Sequence, residues 1–565
     1  MGVQQNGADQ RQPPDETPVL IVGAGPAGLI AALQLSKNGQ RCVLIERNLD
    51  TTKWPKMDIT NCRSMELLKR LDVDRGLREV GVSQEYSFDV NISTGLSEGG
   101  QLIAKWPSQG LPSPDAWRKR IRTNNDGSNP REPYQRCSQA IFEAWLKPQL
   151  QSNPLVDAYF GWKLESLTEE SSHVDSTLVD TAGNRHSIRS RYVIGCDGAG
   201  SKVRSAVGIA LKGGPVPGAM HLIHFKSRDL SRLHKQGQFW HIFFTSGSVI
   251  ISQDEIDTWT VHTPIPVGAD VSDVDPKQAI YRALGGDCAP YEIEIDEVLV
   301  TSTWRPNIYL ADKYMSQGKR IFLSGDAAHQ NIPTGGYGMN TAVGDSFDIG
   351  WKIAAVLAGH GGPHLLDSYE AERRPVAARN LERSGVHHTV HATYQQWCLR
   401  APSASTSQNE EGRSLRDRIA AHVAQNDGEN TDHGIELGYR YNGSGVIVTD
   451  DASQEPAWTP KEYVPSTWPG ARAPHVYLSD GKTSIFDKFG TGPAFTLVDF
   501  SADGKYAQSF ERAARSARVP LEVVRLLMRR MRGRYGNAMP CSYDRMITWP
   551  GAHPQMVRPG PLSMC

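Results

Sequence analysis

The residues from Pro18 to Arg47, PVLIVGAGPAGLIAALQLSKNGQRCVLIER, constrain the fold more than any other stretch. PVLIVG and RCVLIER are short and uniformly apolar, the pattern of strands covered on both faces. The segment between them has helical periodicity and stops at Gly39. Strand, helix and strand at this spacing make one βαβ unit of a parallel sheet. The link from strand to helix is Gly23-Ala24-Gly25-Pro26-Ala27-Gly28. Gly23 permits a tight turn, Gly25 lets the backbone approach a pyrophosphate, and Gly28 lets helix and strand pack closely. The helix N-terminus then offers unpaired N–H groups to phosphates. Glu46 ends the second strand at the distance expected of the acidic residue that holds an adenosine ribose. The unit by itself leaves NAD and FAD both open.

A second stretch decides between them. GDAAHQNIPTGGYGMN, Gly325 to Asn340, follows the apolar run RIFLS and leads into the helical pattern NTAVGDSFDIGWKIAAVL. Asp326, after Gly325, is a good acceptor for sugar-alcohol hydroxyls. The ribityl chain of a flavin carries such hydroxyls, whereas NAD has no linear polyol. Pro333-Thr334-Gly335-Gly336-Tyr337-Gly338 then forms a platform of small side chains against a flat ring. The helix that opens at Met339 and Asn340 aims its positive end at the edge where reduced flavin is anionic. The chain therefore reads as an FAD protein, with the ADP half at Gly23–Glu46 and the flavin half at Gly325–Asn340. The two halves are held apart in sequence by an inserted domain.

The rest of the chain fits an α/β class with that insertion. A helix opens near Asn61 or Arg63, and residues 86–130, rich in Gly, Pro, Ser and Asn, read as surface loop. Residues 155–190 alternate like a hairpin or meander, and RYVIGCDGAGSKVR is strand, turn and helix again. HLIHFKS, FWHIFFTS, SVIISQD and TWTVHTPIP predict a mostly antiparallel sheet. The expected domains are a leader at 1–16, a Rossmann-like FAD-binding domain at 17–210 and 313–400, and a substrate-binding β-sheet domain at 211–312. A polar linker at 401–455 and a C-terminal domain at 456–565 complete them.

VLIVGAGPAGL, IGCDGAGSKVR, and GDAAHQNIPTGGYGMN with GWKIAAVL and LLDSYEAERRPVA occur in that order across residues 18–385. They resemble the signatures of the single-component FAD-dependent aromatic hydroxylases, the family of phenol and p-hydroxybenzoate hydroxylases. The resemblance implies that NADPH or NADH, binding transiently, reduces the flavin. Oxygen then forms a flavin C4a-hydroperoxide that hydroxylates a phenolic or electron-rich ring, and no side chain need become a nucleophile. Epoxidation or dearomatisation on the same fold is the near alternative, and a flavin reductase or dehydrogenase the distant one. By the resemblance, Gly23, Gly25, Gly28 and Glu46 hold the ADP moiety. Arg63 and Gln139 flank the pyrophosphate and ribityl, with Arg136 as a neighbour. Asp197 and Gly198 match the Asp-Gly motif, and Gly325 and Asp326 the Gly-Asp motif. Pro333, Gly336, Gly338, Met339 and Asn340 complete the cofactor set. Tyr337 departs mildly from the family pattern. The end of the chain, notably PGARAPHVYLSDGKTSIFDKFG and FTLVDF, resembles a thioredoxin-like domain. It lacks CxxC, so a structural or homodimer-contact role is expected of it. The last thirty residues do not follow the strand pattern of that domain.

Composition narrows the remaining choices. With 61 basic and 62 acidic residues the formal charge is −1, so neither nucleic acid nor an anionic membrane is indicated as a partner. The eight cysteines are scattered without metal spacing, and no window has the length of a membrane span. A cytoplasmic protein acting on a small aromatic molecule and oxygen, without a metal, is expected, with a place in secondary metabolism. His329 reads as a helix-entry histidine packing near the flavin. His221, His224, His241 and His262 lie on the inserted sheet, and alternation does not fix which of them face the substrate.

Overall fold

The computed structural model describes residues 11–56, 58–426, 429–448 and 454–526, with the strands Arg545–Thr548 and Pro554–Gln555. The central sheet runs Val156–Phe160, Cys42–Glu46, Glu16–Val22, Arg185–Gly195, Val174–Val179, Lys163–Glu169, with Ile321–Leu323 also pairing to Arg185–Gly195. Glu16–Val22 is parallel to both Cys42–Glu46 and Arg185–Gly195, as the glycine-linked unit requires. Arg185–Gly195 changes role along its length. Its first half alternates buried and exposed residues and pairs antiparallel with Val174–Val179. Its second half is buried throughout and pairs parallel with Ile321–Leu323. The two halves of the cofactor region are thereby strands of one sheet. The helices Pro26–Lys37 and Tyr337–Leu357 pack together over it.

The second sheet has the order Glu297–Trp304, Ala219–Lys226, Thr258–Ile265, Val249–Ser252, His241–Phe244, Val90–Ser93, Leu102–Trp106. It is antiparallel except where His241–Phe244 lies parallel to Val90–Ser93. This corrects the reading of residues 86–130 as surface loop. Val90–Ser93 and Leu102–Trp106 complete the second sheet, and Pro114–Thr123 is a helix. The sheet is therefore not one contiguous insertion at 211–312. One face, with Ile223, Ile242, Ile250 and Val261, packs on the helix Pro276–Gly285. The opposite face, with Val90, Ile92 and Phe243, packs on Val390, Tyr394 and Cys398 of the helix Pro363–Arg400.

The helix Pro363–Arg400 joins the two layers. Leu366, Tyr369 and Ala377 belong to the core of the first sheet, and Val390, Tyr394 and Cys398 to the core beneath the second. Residues 401–455 are not the linker their polarity suggests. They hold the helices Glu410–Gln425 and His433–Glu436, and Glu429, Asp432 and Glu436 are buried. Near the end of the chain, Phe495–Asp499 and Leu521–Arg525 pair in parallel around the helix Lys505–Ala517. Arg545–Thr548 pairs antiparallel with Phe495–Asp499. WPGARAPHVYLSDG contributes only isolated bridges, at Ala471, His475 and Tyr477. Most of the last thirty residues lie outside the described part.

Candidate active site

A cleft of about 700 Å³ opens at the C-terminal ends of the parallel strands, lined by Gly23, Gly25, Glu46, Gln139, Asp197 and Gly198 among others. Gly23 has φ +103°, and a Cβ there would lie 2.4 Å from the Cys196 carbonyl oxygen. A Cβ on Gly28 would lie 1.8 Å from the Gly23 carbonyl oxygen, while at Gly25 it would meet only Glu143 at 3.9 Å. The first and third glycines are thus required by packing, and the second keeps the floor of the cleft low. No side chain caps the helix Pro26–Lys37, so its first N–H groups face the cleft unclaimed by a cap. Glu46 accepts from Ala24 N at 2.9 Å and Asn48 N at 3.0 Å, which sets its carboxylate at the cleft wall. Gln139 donates to Glu143 at 2.7 Å. Asp197 accepts from Ser201 Oγ and Lys202 N, both at 2.6 Å, and so also fastens the short helix Lys202–Ala206.

The second cofactor stretch sits where Ile321–Leu323 ends. Asp326 is solvent-accessible yet deeply set, and that desolvation raises its pKa, against the charges of His329 and Lys56. His329 is fully buried with Nε2 2.9 Å from Asp345. Burial disfavours its charged form, but the Asp345 hydrogen bond and charge prevail and raise its pKa. It is held at the turn by Asp345 and Asn331. The long helix starts at Tyr337, two residues before the expected Met339, behind Gly336 in the left-handed conformation. A Cβ at Gly336 would lie 2.6 Å from Ile59 Cγ2, so the glycine platform is pressed against the strand Ile59–Thr60. Asn340 ties the two together, accepting from Asn61 N at 2.9 Å and donating to the Ile59 carbonyl at 3.1 Å. Pro333 and Gly338 remain accessible beside it, and Met339 is buried. The Tyr337 ring lies against Gly335, where a Cβ would come 2.4 Å from its Cε2. Its hydroxyl donates to Asp432 at 2.9 Å and lies 3.2 Å from His387. Gly335 N donates to Glu429 at 2.8 Å. Two carboxylates from the supposed linker therefore fix the turn.

Arg63 is not brought to the cleft. It lines a small void of about 20 Å³ with Asn61 and Asn340, and its Nη1 donates to Glu66 at 3.1 Å. Glu66 also accepts from Arg472 Nε at 2.8 Å. Burial would raise the Glu66 carboxyl, but Arg472 and Arg63 bring it down to about 2. Arg136 is likewise committed, 2.5 Å from Glu255.

Pairing across the second sheet resolves the histidines. His224 stands opposite Thr260, Thr260 opposite Ile251, and Ile251 opposite His241, so these share one face. His262, two residues from Thr260, shares it, whereas His221 lies on the other. Val300, opposite His224, also lines the cleft, so this face adjoins the cofactor region. Asp58, one residue before Ile59, accepts from Trp240 Nε1 at 2.5 Å and lies 3.3 Å from His241 Nε2. Burial would raise its pKa, but His241, Trp240 and Arg136 lower it. His391, from the long helix, stacks on Phe243 with ring centroids 4.0 Å apart. The arrangement is an aromatic and imidazole-lined face that packs on Ile59, the residue against which Gly336 is pressed.

A family model described as an FAD binding domain matches residues 16–384. The FAD-dependent monooxygenase apdD of Emericella nidulans is 46% identical over 537 residues, covering 92% of this chain and 85% of that one. The chain belongs to the FAD-dependent monooxygenases. The FAD-dependent monooxygenase opdD of Penicillium oxalicum is 42% identical, covering 83% of this chain and 91% of its own. The solved structure of the flavin-dependent monooxygenase PieE in complex with FAD and substrate superposes with TM-score 0.83 at 28% identity, over 96% of each chain.

The residues present fit FAD. Two uncapped helix N-termini, a cleft floored by glycine and a wall carboxylate meet the needs of a dinucleotide, and the Gly335–Gly336 platform those of a flat ring. Sequence reasoning missed Asp58, Glu429, Asp432 and Glu436. The N-cap pattern before Ser64 signals a helix at Asn61, but nothing local marks those carboxylates as buried. It also expected no metal site, yet Cys62, His433 and Glu436 bring donor atoms within 4.8 Å of one another. Tyr134 donates to Glu436 at 2.6 Å. Burial pushes Glu436 up to about 8, a carboxyl that keeps its proton and so fits a hydrogen-bonded cluster.

Proposed function

We propose that this monooxygenase uses NADPH or NADH and O2 to hydroxylate a phenolic or similarly electron-rich aromatic molecule. The observation that carries the reading is the sheet face of His224, His241 and His262, with Asp58, Trp240 and Phe243, standing next to the glycine platform. An aromatic wall binds a ring, and imidazoles beside a carboxylate hydrogen-bond its hydroxyls. FAD, when bound, supplies the electron transfer and oxygen chemistry. The chain's own residues orient the ring, exclude water and manage protons. Glu46 and the first helix hold the nucleotide, and Asp326 faces the polyol chain. We extend the reading to a polyketide-type aromatic of secondary metabolism, to action in the cytoplasm, and to homodimer contact through the C-terminal unit. Among the described residues no helix is long and apolar enough to cross a membrane.

The test is a rapid-mixing experiment on the FAD-loaded protein with NADPH or NADH, then oxygen carrying a heavy isotope, with and without a panel of phenols. A phenol is expected to speed flavin reduction and to leave with one labelled oxygen. Reduction without any oxygenated product across the panel would favour the reductase alternative.

A further inference from the structure

Hydroxylation of a phenol is helped when its O–H proton is taken, because the phenolate is the richer nucleophile. The geometry points to His241 Nδ1 as the atom that takes this proton, with Asp58 holding the imidazole from the other side; the inference rests on the hydroxylation reading above. Asp58 Oδ2 lies 3.3 Å from His241 Nε2 and receives the Trp240 indole N–H at 2.5 Å. A carboxylate there fixes the proton on Nε2 and leaves Nδ1 as a bare acceptor. His241 is buried, and its Nδ1 has no hydrogen-bond partner. A buried acceptor is costly to leave unpaired, so such an atom is a natural seat for a ligand hydroxyl.

Position supports the assignment. Asp58 directly precedes Ile59, whose carbonyl is held by Asn340 and whose side chain meets Gly336. The pair is therefore one residue from the ring platform. The other two histidines of the face are differently engaged. Trp304 Nε1 donates to His262 Nδ1 at 3.1 Å, and burial pushes His262 down to about 4. His224 Nδ1 lies 2.9 Å from Thr260 Oγ1 and 3.1 Å from the Trp259 carbonyl. The charged or titratable groups around His241 are Asp58 on its segment, Arg136 over the Trp240 ring, His224 and His262 on the neighbouring strands, and His391 against Phe243. In the step, the phenol O–H bond breaks and an N–H bond forms at Nδ1. The electron pair stays on the phenolate oxygen, and the imidazolium is balanced by the Asp58 carboxylate.

The experiment uses the FAD-loaded enzyme with p-nitrophenol, whose ionised form is read by difference absorbance against pH, without oxygen turnover. The wild type is expected to ionise the bound phenol at lower pH than free solution does. His241→Gln should lose at least about tenfold in the ionised fraction, the equivalent of one pKa unit, and Asp58→Asn should lose part of it. Histidine labelled with a nitrogen isotope gives a second readout by magnetic resonance. A protein signal of the Nε2–H tautomer should vanish in His241→Gln. Unchanged ionisation in that variant, or an Nδ1–H tautomer at His241, overturns the assignment. If p-nitrophenol does not bind, the tautomer decides alone. Neither readout needs hydroxylation, so failure of the reaction class and failure of His241 are told apart.

Discussion

Replacing Asp345 by Asn asks whether one carboxylate holds the flavin turn to the two long helices. Asp345 is fully buried in Tyr337–Leu357. Its Oδ2 lies 2.9 Å from His329 Nε2 and its Oδ1 accepts from Arg373 Nε at 2.9 Å. Asn keeps the volume and one acceptor but removes the charge, leaving the buried Arg373 guanidinium uncompensated. Breaking a buried pair from one side costs about 3–5 kcal/mol. The pH response follows from the same contacts. Burial opposes charge on both groups, yet Arg373 and then His329 bring Asp345 below its usual value, and Asp345 raises His329. The Asp345 contribution is present above about pH 4, its ordinary value, and is lost as pH falls through the lowered one. The His329 contribution is present below about pH 6.5 and is lost as pH rises through the raised value. The pair therefore stabilises most between those limits. Urea unfolding of the FAD-loaded protein, followed by flavin fluorescence and circular dichroism, measures it. At about pH 5.5 the D345N midpoint should fall by at least about 1 M, taking a slope near 3 kcal/mol per M. At about pH 8.5 the deficit should shrink, since neutral His329 has less to lose. In H329Q the alkaline limb should vanish, and the double variant should depart from additivity by about 0.5–3 kcal/mol. A D345N loss below about 1 kcal/mol at the acidic pH would refute the reasoning.

Two further variants address the cofactor walls. Gly23→Ala places a methyl 2.4 Å from the Cys196 carbonyl at a φ of +103°, costing about 1–2 kcal/mol for the backbone and about 1–3 for the overlap. FAD titration of the apoprotein should show at least tenfold weaker binding, about 1.4 kcal/mol, and unchanged affinity would contradict the packing account. Glu429→Gln keeps an acceptor for Gly335 N but loses the charge facing His391, whose Nε2 lies 3.3 Å away. Burial would raise Glu429, but His391 leads the groups that bring it to about 2. Its stabilisation is thus present above about pH 4.3, the ordinary value, and is lost as pH falls from there through about 2. The variant should melt earlier near neutrality, by the equivalent of about 1–3 kcal/mol, with the gap closing in acid; equal melting at neutral pH counts against the contact.

The cofactor cleft was legible because its chemistry is local. Gly23, Gly28 and Glu46 act within one βαβ unit, where neighbours in sequence are neighbours in space. Gly325 and Gly336 belong to a second local turn, and the parallel pairing of Ile321–Leu323 with Arg185–Gly195 brings the two regions into one sheet. The second sheet was half legible. Alternation showed strands at Ala219–Lys226 and Thr258–Ile265 but not their faces, because a face is defined only by the register of the partner strand. Val90–Ser93 escaped notice because its parallel partner, His241–Phe244, lies far along the chain, and nothing in four residues announces such a pairing.

The supposed linker carries the broader lesson. Glu429, Asp432 and Glu436 look like solvated loop carboxylates, since isolated acids are almost never buried. Each is buried against a group delivered by another part of the chain: Gly335 N and His391 for Glu429, Tyr337 and His387 for Asp432, Tyr134 for Glu436. The same long-range logic places Asp58 against His241 and Trp240. Residues that grip a cofactor shared by many chemistries sit in short motifs, because the cofactor's phosphates and ring dictate local backbone. The face proposed for the substrate is gathered from separate strands and from the helix Pro363–Arg400, so its meaning appears only once the strands are in register. On that proposal, a change of substrate would be met at His224, His241, His262 and Asp58, while the glycine turns stay fixed by packing.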